Sequence, residues 1–338
     1  MLKFIRVKTA IIGLLFFSGL LLSSCMEKEN VKSESKLFIP TGASFTQILD
    51  SISPLLKDSK SFEKMAKSKG MDKRFYSGRY TLKPGMNNTA IILMIQEGRQ
   101  DEIAIRIGNY SSVIELSGKI GKILEADSAQ ILESIVNAGF AQGIDTAKLL
   151  SFYLPNTYNF HWNTSGKQFV VKMYQEYQKF WNPERLKEAE KSKMSPLEVT
   201  TLASIVQLES SKPDEQAKVA ALYLNRLRIG MKLDADPTIV FIKKMQSGFQ
   251  NKISRVYYKD LTITSPYNTY LNRGLPPGPI CMPNPSAIDA VLKPEQHDYI
   301  YFVADTARPG YHLFAKTLSE QEKNANAYRA WANKNNVR

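Results

Sequence analysis

Apolar residues fall along the chain in short phased blocks separated by turn residues, and the clearest block lies near residue 200. In SPLEVTTLASIVQLESS, residues 195–211, Ser195 is an N-cap, Pro196 suits the first helical position and Glu198 completes a capping box. The spacing predicts a helix from there, so the residues downstream can be phased. At about 100° per residue, with Leu202 at zero, Ile205 falls at about −60°, Val206 at about +40° and Glu209 at about −20°. Gln207 falls at about 140°. The pattern therefore sets Glu209 within the apolar stripe and turns Gln207 away. A carboxylate on a buried face has its pKa raised by desolvation, as a general acid working near neutral pH requires. Phase alone equally accommodates a buried ion pair with Lys212, Arg226 or Arg228, or a helix-end glutamate that reaches water.

The same reading gives the other elements. Residues 37–39 are a short strand, and Ser44 with Gln47 caps a helix carrying Ile48, Leu49 and Ile52. A helix over residues 61–70 follows. SGRYTLKPGMNNTAIILMIQEG repeats the grammar: a strand through Tyr80 and Leu82, a turn at Pro84 and Gly85, and a helix over 89–97 stopped by Gly98. QDEIAIRI alternates like a strand. Residues 109–150 are predicted helical, with Ile131, Leu132 and Ile135 as the apolar stripe. SFYLPNTYNFHWN reads as an aromatic loop, suited to stacking on sugar faces or to plugging the space between domains. Residues 167–193 read as one long amphipathic helix.

Pro213 and Asp214 start a further helix through Val219, Leu222, Tyr223 and Leu227 that ends at Gly230, with Asn225 and Arg226 in its last turns. Asp236 precedes Pro237 and is expected in an extended turn, where a loop can face a cleft. SPYNTYLNRGLPPGPI, residues 265–280, is a stiff loop, either a binding wall or a packed connector. The fold class is α+β: a small α/β module over 37–108 joined to a larger mixed α+β domain over 109–338, with 109–150 as a helical connecting region.

Composition supports an ordered chain. With 338 residues, 43% of them apolar, a substantial core and about two domains are expected. The net charge of +13 suits nucleic acid, an anionic membrane or a carboxylate-bearing polymer. The N-terminus narrows that choice. In MLKFIRVKTAIIGLLFFSGLLLSSC, Lys3, Arg6 and Lys8 precede an apolar run of about 14 residues, short of the roughly 20 that a spanning helix needs. Residues 1–24 are thus a secretory signal, and Leu22, Ser23, Ser24 and Cys25 resemble a bacterial lipobox that leaves Cys25 lipidated; a short uncleaved anchor is the alternative. On either reading the chain is membrane-tethered in the cell envelope, outside the cytoplasm, and nucleic acid drops out as a partner. Residues 25–36, polar and charged, are expected to be a flexible tether. With Cys25 lipidated only Cys281 remains, which allows no intramolecular disulfide. His161, His297 and His312 lie far apart without ligand spacing, so no metal or cofactor is expected.

Several long segments together resemble the YceG-like (MltG) family of endolytic peptidoglycan lytic transglycosylases. LASIVQLES is similar to that family's helix bearing two acids. KVAALYLNRLRIGMKLDADPTIVF, SPYNTYLNRGLPPGPI and YIYFVADTARPGYHLFAKTLSEQ resemble its later segments, SGRYTLKPGMNNTAIILMIQEG its LysM-like module, and FYLPNTYNF its aromatic segment. The family's catalytic acid is the second of the pair, here Glu209, and Gln207 replaces the first. Asn156 stands where the family usually has Asp, and the lipobox replaces its usual transmembrane helix.

The resemblance implies cleavage of the β-1,4 bond between N-acetylmuramic acid and N-acetylglucosamine within a glycan strand. Glu209 would act as acid and then as base, giving a 1,6-anhydro product without cofactor. Asn225, Asp236, Thr238, Tyr267, Asn268 and Tyr270 are expected to be cleft hydrogen-bonders. The implied partners are peptidoglycan, the inner membrane as for the family (or the outer membrane) through the lipid, and penicillin-binding proteins of the elongation machinery. Two alternatives stand beside this reading: a noncatalytic peptidoglycan-binding lipoprotein, and a muramidase-type hydrolase with Asp236 as second acid.

Overall fold

The computed structural model describes residues 27–253 and 255–335; the segment expected to be a secretory signal and Cys25 lie outside the described residues. The chain forms three apolar clusters in sequence order, each closed by its own short helices and one two-stranded antiparallel sheet.

The first unit holds β1 (Ser35–Ile39), α1 (Phe45–Ile52), α2 (Ser59–Ser68), β2 (Gly78–Leu82) and α3 (Asn88–Gln96). Strands β1 and β2 pair with Leu37 opposite Tyr80, and their inward residues pack on Ile48, Phe62 and Ile91. The capping box of Ser44 and Gln47 forms as the sequence requires, and Asp58 and Asn87 cap the other two helices.

Residues 27–36 of the segment expected as a tether are instead part of this unit. Val31 is 1% exposed and bridges to Leu56, and Glu29 bridges to Asn87. Asn30 donates to Asp58 O and Asn88 Oδ1 and accepts from Asp58 N. Its polar side chain is consumed by the Asp58 backbone and the Asn88 side chain, a use that composition cannot distinguish from solvation.

The second unit is built from β3 (Glu102–Ile107), α4 (Val113–Ile120), α5 (Ser128–Ala141), β4 (Asn156–His161) and α6 (Gly166–Phe180), with a 3-10 turn over Thr146–Phe152. Strand β3 pairs with β4, Ile105 opposite Tyr158 and Ile103 opposite Phe160. Their inward residues join Leu116, Ile131, Phe169 and Met173 in one core. Two expectations are corrected here. The aromatic segment is not a loop: its residues alternate outward and inward from Asn156 to His161 as a strand. A boundary at residue 108 would cut β3 from its partner, and residues 109–150 are a core-forming part of this unit rather than a connector.

The long helix expected over 167–193 is two. Helix α6 stops at Phe180, and α7 (Pro183–Lys191) starts afresh with Asn182 accepting from Arg185 N and Pro183 at the first helical position. A residue before proline is biased away from helix, and that local preference overrides the continuing periodicity.

The third unit contains α8 (Pro196–Glu209), α9 (Pro213–Arg228), α10 (Asp236–Gln246), α11 (Pro285–Leu292), the hairpin β5 (Tyr301–Ala304) with β6 (His312–Ala315), and α12 (Leu318–Lys334). Helix α8 begins at the expected capping box and runs through the middle, touching α7, α9, α10 and α11. Every residue from Val199 to Val206 is buried, so α8 has no single apolar stripe. Stiff loop 265–280 packs against it, Ile280 N donating to Ser204 Oγ at 3.0 Å. Gly278 is required there: a Cβ would sit 1.9 Å from Ala147 O. Thr41 N and Oγ1 both donate to the Glu125 carboxylate at 2.7 Å, which joins the first two units.

Candidate active site

Glu209 is the last residue of α8. A carboxylate at a helix C-terminus faces the negative end of the backbone dipole, which disfavours its charged form. Position in the final turn, rather than a place in a stripe, is what distinguishes it: the preceding turns are buried all round, whereas Glu209 stays partly accessible.

Helix α9 returns beside α8 and brings Tyr223, fully buried, to Glu209; Tyr223 Oη donates to Glu209 Oε1 at 2.9 Å. Burial pushes the Glu209 pKa up to about 7, and the negative charge of Asp236 adds to that rise. The Tyr223 hydrogen bond and the positive field of Arg226 act against it. Burial, reinforced by the neighbouring Glu209, holds the Tyr223 phenol well above its ordinary pKa, so it is a fixed donor.

Arg226 is not an ion-pair partner of Glu209. Its guanidinium donates to Ile300 O and Leu233 O, both at 2.6 Å, bracing the hairpin against the chain after α9. Among the described residues no cation forms a salt bridge with Glu209, so the expected alternatives of Lys212, Arg226 and Arg228 are not realised. Gln207, partly exposed, is tied down through its Oε1, which accepts from Asn284 N at 3.2 Å and links α8 to the start of α11.

A second phenol–carboxylate pair stands close enough to influence the first. Asp236, exposed, accepts from Tyr270 Oη at 2.7 Å. Burial and this bond together raise the Tyr270 pKa, so Tyr270 too stays protonated and donating. Asp236 is not in an extended turn as expected; it opens α10, with Pro237 in the first turn. An acidic side chain suits this first turn of a helix.

The other expected cleft residues hold the framework. Asn225 Nδ2 donates to His297 O and Tyr299 O. Thr238 is fully buried and donates to Ala235 O at 2.7 Å, with Thr269 Oγ1 at 3.0 Å. The Tyr267 ring lies 4.8 Å from that of Phe241 in the core, and burial raises its pKa to about 12. Asn268, fully buried, donates to Leu261 O and Ile263 O and accepts from Tyr270 N at 2.9 Å. It therefore acts on the site by placing Tyr270. Asn156 opens β4 and accepts from Thr157 N.

One buried network was not visible in the sequence. Glu215, on α9, accepts from Ser210 Oγ at 2.8 Å, from His312 N at 2.7 Å and from His312 Nδ1 at 2.9 Å. Gln216 donates to Ser210 O at 3.0 Å. The residue after Glu209 is thereby pinned to α9 and to the start of β6. In sequence Glu215 sits in the first turn of a helix, where an acid is ordinarily read as an electrostatic complement to the dipole.

No group of three or more His, Cys, Asp or Glu side chains able to hold a metal occurs among the described residues. Buried Cys281 has its thiol pKa pushed up to about 12 and is not a nucleophile at neutral pH.

The pattern of the YceG-like family matches residues 37–327. An endolytic murein transglycosylase of Bacillus subtilis is 29% identical over 337 residues, spanning 94% of this chain and 91% of that protein. One from Streptococcus pneumoniae is 27% identical over 177 residues, 52% of this chain and 32% of the other. The crystal structure of a YceG-like protein from Listeria monocytogenes superposes with a TM-score of 0.56 at 28% identity, covering 86% of this chain and 99% of that one.

Proposed function

This chain belongs to the YceG-like family, and from that premise we propose that it is an endolytic murein transglycosylase with Glu209 as its single catalytic acid and base. The observation that carries the reading is a partly accessible carboxyl at a helix end whose pKa, about 7, leaves it substantially protonated near neutral pH.

In the proposed reaction Glu209 gives its proton to the glycosidic oxygen as the bond from C1 of N-acetylmuramic acid breaks. The resulting carboxylate takes a proton from the C6 hydroxyl of the same sugar, whose oxygen closes onto C1. One bond is exchanged for another, the proton returns to Glu209, and no water enters. Tyr223 holds Oε1 throughout, so the proton-carrying oxygen is Oε2. Asp236 supports the reading by disfavouring the ionised state before the sugar binds, and Tyr270 keeps Asp236 in place.

The test is to incubate the exported chain with uncrosslinked glycan strands and to analyse products by mass spectrometry. Anhydro-muramic ends that vanish with Glu209→Gln are expected; no cleavage, or cleavage indifferent to that substitution, would sink the proposal. Asp236 is a carboxylate near Glu209, as a hydrolase would need. Reducing muramic ends in the products would favour that muramidase reading.

Anchorage through Cys25, facing the extracytoplasmic side, and association with penicillin-binding proteins complete the proposal. Labelled palmitate incorporated by the wild type and lost with Cys25→Ala is the expected result for the anchor.

A further inference from the structure

Away from Glu209, several hollows open around α6. That helix turns Gly166, Phe169 and Met173 inward and leaves most of its other residues on the outside. Val171 is 50% exposed and Tyr174 37%, the Tyr174 ring resting beside those of Phe152 and Tyr177.

Two hollows open onto this face. One lies between α5 and α6 and is lined by Asn137, Gln142, Val171, Tyr174 and Gln175. The other lies where Gln168 and Lys172 of α6 meet Asn159, His161 and Asn163 at the outer edge of β4, with the Glu102 carboxylate of β3 on its far side, bound by Asn159. A shallow strip containing Lys167, Val171, Lys172 and Gln175 runs along the helix, together with Glu176, whose carboxylate is neutralised by Lys179 at 2.8 Å. At 1.5 Å per residue the helix is about 22 Å long, enough to carry several units of a polymer.

We infer that the outer face of α6 is a second binding surface, which holds N-acetylated glycan bearing carboxylate-rich peptides while Glu209 cuts the strand elsewhere. The ligand class rests on the murein reading above, and the chemistry of the face fits it. Asn159 and Asn163 already donate to Glu102 and Ser77, whereas the side-chain amides of Asn137, Gln142 and Gln175 make no hydrogen bond among the described residues and can pair with acetamido groups. The Tyr174 ring and Val171 present an apolar patch to a sugar's C–H face or an acetyl methyl. The ammonium groups of Lys167 and Lys172 pair with no carboxylate among the described residues, and Lys172 is held over the Phe160 ring at 5.2 Å. They are available to peptide carboxylates. A protein partner fits less well, because protein interfaces are depleted in Lys and enriched in Arg, and this face has the reverse.

The experiment measures affinity rather than cleavage. In a Glu209→Gln background, soluble peptide-bearing strands are titrated against the exported chain with and without Lys167→Glu and Lys172→Glu, folding being checked by circular dichroism. Charge reversal is expected to weaken binding about tenfold, an effect that shrinks as salt rises. A separate Tyr174→Ala chain is expected to weaken binding of strands stripped of their peptides as well. Affinity unchanged within twofold in both folded variants overturns the proposal and leaves the face to a protein partner. Weakened binding in an enzyme whose Glu209 form yields no cleavage products would retain this surface and refute the transglycosylase reading.

Discussion

Tyr223 Oη donates to Glu209 Oε1 at 2.9 Å from a fully buried position. The bond stabilises the carboxylate, so it opposes the rise that burial imposes. Tyr223→Phe is therefore expected to raise the Glu209 pKa further. Measured as kcat/KM against pH, the alkaline limb should move to higher pH; a shift to lower pH would contradict the assignment of Glu209 as the acid.

Asp236→Asn should do the opposite. The Asp236 charge raises the Glu209 pKa, and its removal lowers it. The alkaline limb is then expected at lower pH, with activity at pH 8 falling more than activity at pH 5. Tyr270→Phe leaves the charge in place and should change KM more than the position of the limb.

The same carboxyl costs stability. Its folded pKa of about 7 lies above the ordinary 4.5, so the folded chain holds the proton more tightly than the unfolded chain does. Below pH 4.5 both states are protonated and there is no penalty. As pH rises the unfolded state ionises first, and the penalty reaches roughly 3 kcal/mol above pH 7. Glu209→Gln is accordingly expected to raise Tm at pH 8 and to leave it unchanged at pH 4, a difference that thermal melts at the two pH values will read.

Glu215→Ala removes the acceptor shared by Ser210 and two His312 donors. Stranding buried donors costs roughly 2–4 kcal/mol. Because Ser210 follows Glu209, kcat is expected to fall by more than KM rises. Glu215→Gln keeps an acceptor for part of the network and should recover part of the activity, whereas a purely distant packing role would lower Tm without touching kcat.

Asn268→Ala is expected to lower stability by roughly 2–3 kcal/mol, since two carbonyls and one amide lose their partner inside the protein. It should also raise KM through misplacement of Tyr270. An unchanged Tm by calorimetry would contradict the structural role.

What the sequence determined alone is whatever neighbouring residues encode. Ser195, Pro196 and Glu198 start α8 because a cap is a contract between residues three apart, and Gly230 ends the next helix region because its φ of +66° suits glycine. The long motifs marked the family and Glu209. Helical phase, however, gave a misleading reason for Glu209: it assumed one buried face, and α8 turned out to be buried on all faces with its acid at the end. Charge composition likewise misread Asn30, whose hydrogen-bond partners lie 28 and 58 residues away. Of six expected supporting residues, only Asp236 and Tyr270 point into the electrostatic neighbourhood of Glu209. Asn225, Thr238, Tyr267 and Asn268 are spent on backbone groups and core. Only the tertiary structure decides such matters, because a pKa and a hydrogen-bond partner depend on what chain folding brings within a few ångströms: Tyr223 reaches Glu209 across 14 residues, and Tyr270 reaches Asp236 across 34.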